Sequence, residues 1–361
     1  MAEHVLAGDI GGTKTALALY AAARPDEPAT RPRHAAAPVT QPERDVTPRR
    51  LTLLREASFP SPRYTGLEEV VRAFLAAGSE RVAAAAFGIA GPIVDDAVTT
   101  TNLPWRVEGA ALARVLGVAE GTRGRGGSRV RLMNDLEATA LGALSLAPND
   151  LLTLNAGTAR SGNRAVIAAG TGLGQAILFW DGAQHRPVAT EGGHVEFAPR
   201  DDRETALLAF LRRTFTHVSY ERIVSGPGLA NIFRFLDEDF RRPVTPAVRE
   251  RMQHEDAGAV IGEAGVAGAC PACAEAVEIF LAVYGAQAGN LALAAMAIGG
   301  VYVGGGIVTK MLPRMTTGSF LRSFTAKGRY TQLMTEIPVH LILNPRTAQL
   351  GAARAACALL D

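Results

Sequence analysis

Apolar residues in short alternating or continuous runs, the pattern of β-strands, recur in both halves of the chain. Each half contains one segment that predicts two strands around a glycine-rich turn: VLAGDIGGTKTALALY and RAVIAAGTGLGQAILFWDG. Further strands are predicted at LTLLREA, RVAAAAFGIAGPI, VRLMN, GGVYVGGGI and IPVHLIL. The repeated hairpin predicts an internal structural duplication with little sequence identity.

Helical spacing of apolar residues separates these strands. In GLEEVVRAFLAAG the positions Leu67, Val70, Val71 and Phe74 form one apolar face. Other helices are predicted after Asn134, over Glu204–Arg213, Gly226–Asp237, Thr245–Met252 and Cys273–Met296, and in the final TAQLGAARAACALL. Hairpins combined with strand–helix–strand crossovers predict an α/β protein with mixed sheets.

Composition narrows the class of protein. With 361 residues and 48% hydrophobic positions, the chain can bury a large core, and its length suggests two domains around a cleft. Lys and Arg number 37 against 35 for Asp and Glu, which excludes a strongly basic nucleic-acid binder. Three cysteines exclude a disulfide scaffold and suit a reducing cytoplasm.

Three segments have features without an obvious chemical role. Leu291 to Val308 holds no charge, but five glycines interrupt it, so we expect no membrane span there. The Pro- and Arg-rich stretch Arg24–Arg50 contains acidic residues that favour a polar connection over a nucleic-acid arm. Cys270 and Cys273 form a lone CxxC, which favours structural thiols over a zinc or redox site.

Two glycine turns are candidate phosphate-binding loops, because glycine lets a phosphate approach exposed backbone N–H groups. The first comprises Asp9, Gly11, Gly12, Thr13 and Lys14. The second comprises Gly170, Thr171, Gly172 and Gly174. Either could be an ordinary hairpin turn, but the pair suggests two loops that hold a polyphosphate. Neither is a Walker loop or a dinucleotide fingerprint. Asp9, at a strand end, could hold a magnesium ion through water.

A third glycine cluster follows a predicted strand and opens a helix. It comprises Gly304, Gly305 and Gly306, followed by Ile307. Three glycines would let a flat ligand such as adenine lie on the backbone, and a helix start directs N–H groups towards phosphate. The same residues could form a packing turn between strand and helix.

Asn134 and Asp135 lie where a strand ends and a helix begins. A carboxylate there could simply cap the helix. It could also accept a proton from an attacking alcohol, as the general base of a phosphoryl transfer does.

Four further polar residues are suited to a sugar. Carboxylates and amides match pairs of neighbouring hydroxyls, and such groups are Asn102, Glu191, His194 and Glu221. A salt-bridged acid and a surface histidine are the alternatives. A metal site at Glu191 and His194 lacks a third ligand of obvious spacing.

The ordered motifs resemble the bacterial-type glucokinases of the sugar kinase/Hsp70/actin superfamily. They are DIGGTKT, FGIAGPI, TNLPW, MNDLEATALG, AAGTGLGQA, EGGHVEFAP, SYERIVSGPGL, GNLALAAMAIGGVYVGGGI and KGR…IPVHLILN. The related ROK kinases share DIGGTKT, but their zinc-binding cysteine cluster is not seen in this sequence. The match runs from about Val5 to Ala356. The Pro- and Arg-rich stretch and the polar TLNAGTARS are departures from the pattern.

This resemblance implies a two-domain actin-like ATPase (ribonuclease H-like) fold with an interdomain cleft. The small domain would comprise residues 1–137 and 346–361, and the large domain residues 138–345. ATP would be held by the three glycine loops, with Mg²⁺ near Asp9. The implied glucose ligands are Asn102, Asn134, Asp135, Glu191, His194 and Glu221, with Asp135 as the base that accepts the 6-hydroxyl proton.

Two alternatives differ in substrate or class. The chain could phosphorylate another hexose or use polyphosphate as donor. It could also be a non-catalytic sugar-sensing regulator, which would need a DNA-binding segment before the first strand and would not need Asp135. We further expect a cytoplasmic homodimer that binds neither nucleic acid nor a membrane.

Overall fold

The computed structural model describes residues 3–23, 49–100, 102–118 and 129–360. Most of the Pro- and Arg-rich stretch, residues 24–48, therefore lies outside the described residues. The chain divides into two compact units. The first unit is Met1–Ser145 with Arg346–Asp361, and the second is Leu146–Pro345.

The described residues form runs of strands and runs of helices, with the longest helical run, α4 to α8, between β11 and β12. The strands are β1 (Glu3–Ile10), β2 (Lys14–Ala23), β3 (Arg50–Pro60), β4 (Val82–Ile89), β5 (Ala97–Thr99), β6 (Arg106–Glu108), β7 (Val130–Asn134), β8 (Leu151–Asn155), β9 (Arg164–Ala169), β10 (Leu173–Trp180), β11 (His185–Thr190), β12 (Gly300–Gly304) and β13 (Val339–Ile342). The α-helices are α1 (Leu67–Leu75), α2 (Gly109–Leu116), α3 (Asp135–Ala143), α4 (Asp202–Leu211), α5 (Gly226–Glu238), α6 (Pro246–Arg251), α7 (Ala257–Val266), α8 (Pro271–Ala295), α9 (Gly306–Lys310), α10 (Leu312–Met315), α11 (Ser319–Thr325), α12 (Thr331–Glu336) and α13 (Thr347–Cys357).

The main sheet of the first unit has the strand order β3-β2-β1-β4-β7. The first three strands pair antiparallel, whereas β4 and β7 continue the sheet parallel to β1. This arrangement confirms the predicted mixed sheet and the hairpin around Gly11 and Gly12. The separate hairpin of β5 and β6 gives no sequence pattern, because each strand is only 3 residues long.

The sheet of the second unit has the order β11-β10-β9-β12-β13-β8. Its first five strands repeat the directions of the first sheet: β9, β10 and β11 are antiparallel, and β12 and β13 run parallel to β9. The antiparallel strand β8 is added at the far edge. The predicted duplication is therefore present at the level of topology, although the half-exposed edge strands β8 and β11 lack a clear apolar pattern.

The C-terminal helix α13 returns to the first unit and packs against α3. The two backbones approach closely through glycines, since a Cβ built on Gly142 would overlap the carbonyl oxygen of Thr347. A Cβ on Gly351 would likewise overlap the carbonyl oxygen of Ala138. Because α3 is joined to α13 in this way, the first unit extends to Ser145 rather than ending at residue 137.

The long helix α8 forms the centre of the second unit. By length and composition it could cross a membrane, but 78% of its most apolar window is buried inside the protein. It ends at Met296 in the left-handed conformation (φ 46°), and β12 follows, so the uncharged segment Leu291 to Val308 is interrupted as predicted. The free thiols of Cys270 and Cys273 are buried at its first turn.

Candidate active site

In the first unit, two predicted site carboxylates lie at the same edge of the sheet. Asp9 on β1 pairs with Gly88 on β4, and Gly88 pairs with Met133 on β7. A Cβ on Gly88 would lie 2.9 Å from the Ala138 Cβ and 3.6 Å from the Asp135 Cα. The absence of a side chain at Gly88 thus lets the first turn of α3 pack over the strand ends, beside Asp9.

The two carboxylates interact electrostatically. The pKa of Asp9 is raised from 3.8 to about 6, first by burial and then by the negative charge of Asp135, while Lys14 opposes the shift. A bound cation would favour the ionised form of Asp9. Carboxylate oxygens are ligands that a hard divalent ion such as Mg²⁺ prefers, so the Asp9 side chain fits such an ion, and the Mg²⁺ site stays a prediction.

Two polar residues at the start of α3 occupy different positions in the helix. Asn134 is the N-cap residue, and its Oδ1 accepts a hydrogen bond from Leu136 N–H at 2.8 Å. Asp135 is the first residue of the helix, and its Oδ1 accepts from the same N–H at 2.9 Å. The helix already has its cap in Asn134, so capping alone does not account for the carboxylate at Asp135.

The first glycine turn is held by two buried hydroxyls. Gly11 N–H donates to the Lys14 carbonyl at 3.0 Å, which closes the turn. The Ser61 hydroxyl donates to the Gly11 carbonyl at 2.8 Å and lies 2.9 Å from the Thr15 hydroxyl. Ser61 N–H also donates to the Thr13 carbonyl at 3.1 Å. Sequence analysis did not identify Ser61, which has no local motif and is distant in the chain.

A small pocket adjoins this turn. Its lining residues are Ile10, Gly11, Gly12, Ala90, Thr100, Asn102 and Leu103. Asn102 lies against the turn itself, since a Cβ on Gly12 would be 2.6 Å from the Asn102 Cβ. The structure thus brings a predicted sugar ligand to the predicted phosphate loop within one unit.

The second glycine turn is held by a carboxylate. Glu221 Oε2 accepts a hydrogen bond from Leu173 N–H at 2.9 Å. Gly170 N–H donates to the Gly172 carbonyl at 2.8 Å, and Gly226 N–H donates to the Gly170 carbonyl at 2.8 Å. The turn is therefore joined to both the Glu221 segment and the start of α5.

The third glycine cluster lies directly beside the second turn. Gly304 on β12 pairs with Ala168 on β9, and Gly305 has a φ of 92°. A Cβ on Gly305 would overlap the carbonyl oxygen of Ala169, so only glycine fits here. The buried Tyr284 hydroxyl lies 3.2 Å from the Gly304 carbonyl, to which it donates. Two of the three predicted nucleotide loops are thus adjacent in the second unit.

The turn that carries Glu191 and His194 packs against Leu173, at the second glycine turn. A Cβ on Gly193 would overlap the carbonyl oxygen of Leu173, the residue whose N–H binds Glu221. Both Glu191 and His194 are exposed. The second unit therefore gathers its three predicted sugar ligands around the start of β10. Among the residues that the structure describes, no group of three His, Cys, Asp or Glu is placed to hold a metal.

A chain of polar side chains that the sequence analysis missed supports the Glu221 segment. Lys327 Nζ donates to Asn290 Oδ1 at 2.6 Å, and Asn290 Nδ2 donates to the Tyr220 hydroxyl at 3.1 Å. Burial, with a smaller effect from the Arg200 charge, lowers the pKa of Lys327 to about 8. Lys327, Asn290 and Tyr220 each lie in a quoted motif (KGR, GNLALAAMAIGG and SYERIVSGPGL), but nothing in those motifs indicates that their side chains meet.

Comparison with known proteins identifies the family. A sequence model described as Glucokinase matches residues 43–359. The chain belongs to the glucokinase family. A glucokinase of Synechocystis sp. is 37% identical over 374 residues, covering 98% of both chains. A glucokinase of Trichormus variabilis is 36% identical over 371 residues, covering 98% of this chain and 99% of the relative.

Solved structures of this family agree with the fold. A glucokinase from an Antarctic psychrotroph superposes with a TM-score of 0.79 at 28% identity, over 100% of both chains. A ROK family glucokinase from Streptomyces griseus, in complex with glucose and AMPPNP, gives a TM-score of 0.60 at 21% identity, over 98% of both chains. These likenesses confirm the predicted actin-like ATPase fold with its mixed sheets.

Proposed function

We propose that this glucokinase transfers the γ-phosphoryl group of ATP to the 6-hydroxyl of D-glucose, forming glucose 6-phosphate for glycolysis. The observation that carries the proposal is the pair Asp9 and Asp135 at one sheet edge, beside a glycine turn. Phosphoryl transfer depends mainly on positioning and charge stabilisation, and these groups supply both. Membership of the glucokinase family supports glucose as the acceptor.

Asp135 acts as the general base. Its carboxylate accepts the proton of the sugar hydroxyl as that oxygen attacks the γ-phosphorus, and the bond from phosphorus to the leaving oxygen of ADP breaks. The bond to Leu136 N–H fixes one of its oxygens.

The nucleotide is held by the glycine loops, through backbone N–H groups near its phosphates. These loops comprise Gly11, Gly12, Thr13 and Lys14, then Gly170, Thr171, Gly172 and Gly174, then Gly304, Gly305 and Gly306. Asp9 would hold Mg²⁺ through water, and the bound ion would neutralise negative charge on the nucleotide phosphates.

Glucose is bound by hydrogen bonds to its hydroxyl pairs. We assign Asn102, Asn134 and Asp135 from the first unit, and Glu191, His194 and Glu221 from the second. Because Asn134 Oδ1 caps α3, its amide NH₂ is the group available to a sugar oxygen.

A coupled assay of the purified protein with ATP, Mg²⁺ and glucose tests the proposal. We expect glucose 6-phosphate only when all three are present. Mannose, fructose and N-acetylglucosamine, each with ATP or polyphosphate, test the alternative acceptors and donors. Turnover with another hexose or with polyphosphate but none with glucose and ATP would replace the proposal. Glucose binding without any turnover would favour a sugar-sensing role.

The assembly and compartment complete the proposal. We infer a cytoplasmic homodimer, a state that light scattering measures directly as the molar mass in solution. A mass equal to one chain would contradict it.

A further inference from the structure

The second glycine turn contacts a side chain to which the proposed function gives a different task. Glu221 Oε2 accepts a hydrogen bond from Leu173 N–H at 2.9 Å. A Cβ built on Gly172 would lie 2.6 Å from that same oxygen. The turn that we assign to nucleotide phosphate thus binds the Glu221 carboxylate through Leu173 N–H. The missing side chain of Gly172 leaves space for the same carboxylate, which we assign to sugar.

The Glu221 segment is tied to the turn at a second point. The Ser225 hydroxyl donates to the Glu221 carbonyl at 2.7 Å, and Gly226 N–H donates to the Gly170 carbonyl at 2.8 Å. The carboxylate of Glu221 and the main chain shortly after it therefore both bind the Gly170–Leu173 turn. A displacement of this turn therefore either moves the Glu221 carboxylate or breaks its hydrogen bond to Leu173 N–H.

We propose that Gly172 and Leu173 are positioning residues for sugar binding, and that Glu221 couples the affinities for sugar and nucleotide. This inference rests on the proposed function, which assigns Glu221 to glucose and the turn to ATP. Phosphate bound by the turn orders Leu173 N–H, and that N–H orients Glu221 for the sugar. Coupling of two ligands is reciprocal, so glucose strengthens nucleotide binding by the same factor.

Gly172→Ala tests the contact directly. Gly172 lacks the left-handed φ that would disfavour alanine, but the new methyl must displace Glu221 Oε2. We expect the Kd for glucose, measured by calorimetry without nucleotide, to rise about tenfold. Gly262→Ala in α7 is the control in the same unit, since its Cβ would meet nothing closer than 3.6 Å and the residue lies outside the proposed binding loops. Its glucose Kd should equal that of the wild type.

The coupling is measured as the ratio of glucose Kd values without and with AMPPNP. We expect a ratio of about 5 or more for the wild type and near 1 for Gly172→Ala. Glu221→Asp, whose shorter side chain no longer reaches Leu173 N–H, should also reduce this ratio. It replaces Gly172→Ala in the test if thermal melts show that Gly172→Ala is unstable. Wild-type glucose Kd and ratio in both variants would overturn the inference.

Failure of the proposed function looks different. In that case the wild-type protein binds no glucose in calorimetry and turns none over. Failure of the inference leaves wild-type binding and turnover intact and removes only the effect of Gly172→Ala.

Discussion

The two units use one topology but hold their glycine turns in different ways. In the first unit the neutral hydroxyl of Ser61 binds the Gly11 carbonyl. In the second unit the charged Glu221 binds the Leu173 N–H. A hydroxyl that is buried and satisfied has only a structural role, whereas a half-buried carboxylate can also bind a ligand. The first turn is therefore held by structural contacts alone, and the second is bound to a residue that we propose as a sugar ligand.

The strand ends differ as well. Ala168 on β9 takes the place that Asp9 has on β1, and it pairs with Gly304 as Asp9 pairs with Gly88. The glycine is retained in both sheets, but the carboxylate is present only at the first of these two pairs. Duplicated architecture thus preserves backbone packing, while the carboxylates to which we assign metal binding and proton transfer belong to one copy. The following predictions test this division.

Asp135→Asn should have the largest effect. Asparagine retains the shape but cannot take up a proton, so we expect kcat to fall by about 10²–10⁴-fold. The glucose Kd should change far less, and the melting temperature should not fall, because Asn134 still caps α3. Steady-state kinetics, calorimetry and thermal melts measure the three quantities.

The control in the second unit is Asp256→Asn, the same substitution at the exposed N-cap of α7. Its kcat should equal that of the wild type. A near wild-type kcat in Asp135→Asn would contradict the assignment of the base.

Asp9→Asn should stabilise the metal-free protein above pH 6. The folded pKa of about 6 exceeds the usual 3.8, so the folded state retains a proton that the unfolded state has lost between these pH values. Stability therefore falls as the pH rises from about 4 to 6. This difference in pKa, discounted for partial exposure of the carboxyl group, corresponds to about 1–3 kcal/mol.

Urea unfolding at several pH values measures this effect. The variant should be more stable at pH 7.5, equal to the wild type below about pH 4, and impaired in turnover with Mg²⁺. If the variant and the wild type have equal stabilities at every pH, the ionised Asp9 carboxylate does not destabilise the folded protein.

Ser61→Ala should destabilise the first turn by about 1–2 kcal/mol, since it leaves the Gly11 carbonyl and Thr15 hydroxyl without a buried partner. We expect the KM for ATP to rise with the glucose Kd unchanged. Ser225→Ala, which removes a hydroxyl bound to the Glu221 carbonyl, should instead raise the glucose Kd. If Ser61→Ala and Ser225→Ala change the KM for ATP and the Kd for glucose equally, the proposed difference between the two turns is wrong.

Chelator treatment should have the smallest effect. After dialysis against EDTA and restoration of Mg²⁺, we expect full activity, because Cys270 and Cys273 are structural thiols buried at the start of α8. Elemental analysis that finds one zinc per chain would contradict this expectation.

Local chemistry explains which features could be predicted from the sequence. Glycine turns between apolar runs, and polar residues directly after a strand, are signals contained within a few positions. They identified both hairpins, the Asn134–Asp135 junction and the Gly304–Gly306 cluster. Among the helices that escaped prediction, α10, α11 and α12 have two turns or fewer and are too short to show periodicity.

The supporting contacts could not be predicted, because they join distant parts of the chain. Ser61 lies 46 positions from Thr15, and Lys327 lies 37 from Asn290. Neither pair has a sequence pattern. The hydrogen bond from Leu173 N–H to Glu221 could not be predicted either, because every residue except proline offers the same backbone N–H.

The return of α13 to the first unit has a consequence for synthesis on the ribosome. Alanines of α13, among them Ala352 and Ala356, pack with Val5 and Ala7 of β1 and with Ala138 of α3. Strand β1 and helix α3 leave the ribosome early. Helix α13, which packs against them, is translated only after all of Leu146–Pro345. The second unit is continuous and can fold while the first still exposes an apolar sheet face. We therefore expect nascent chains to need chaperone protection of that face until translation reaches α13.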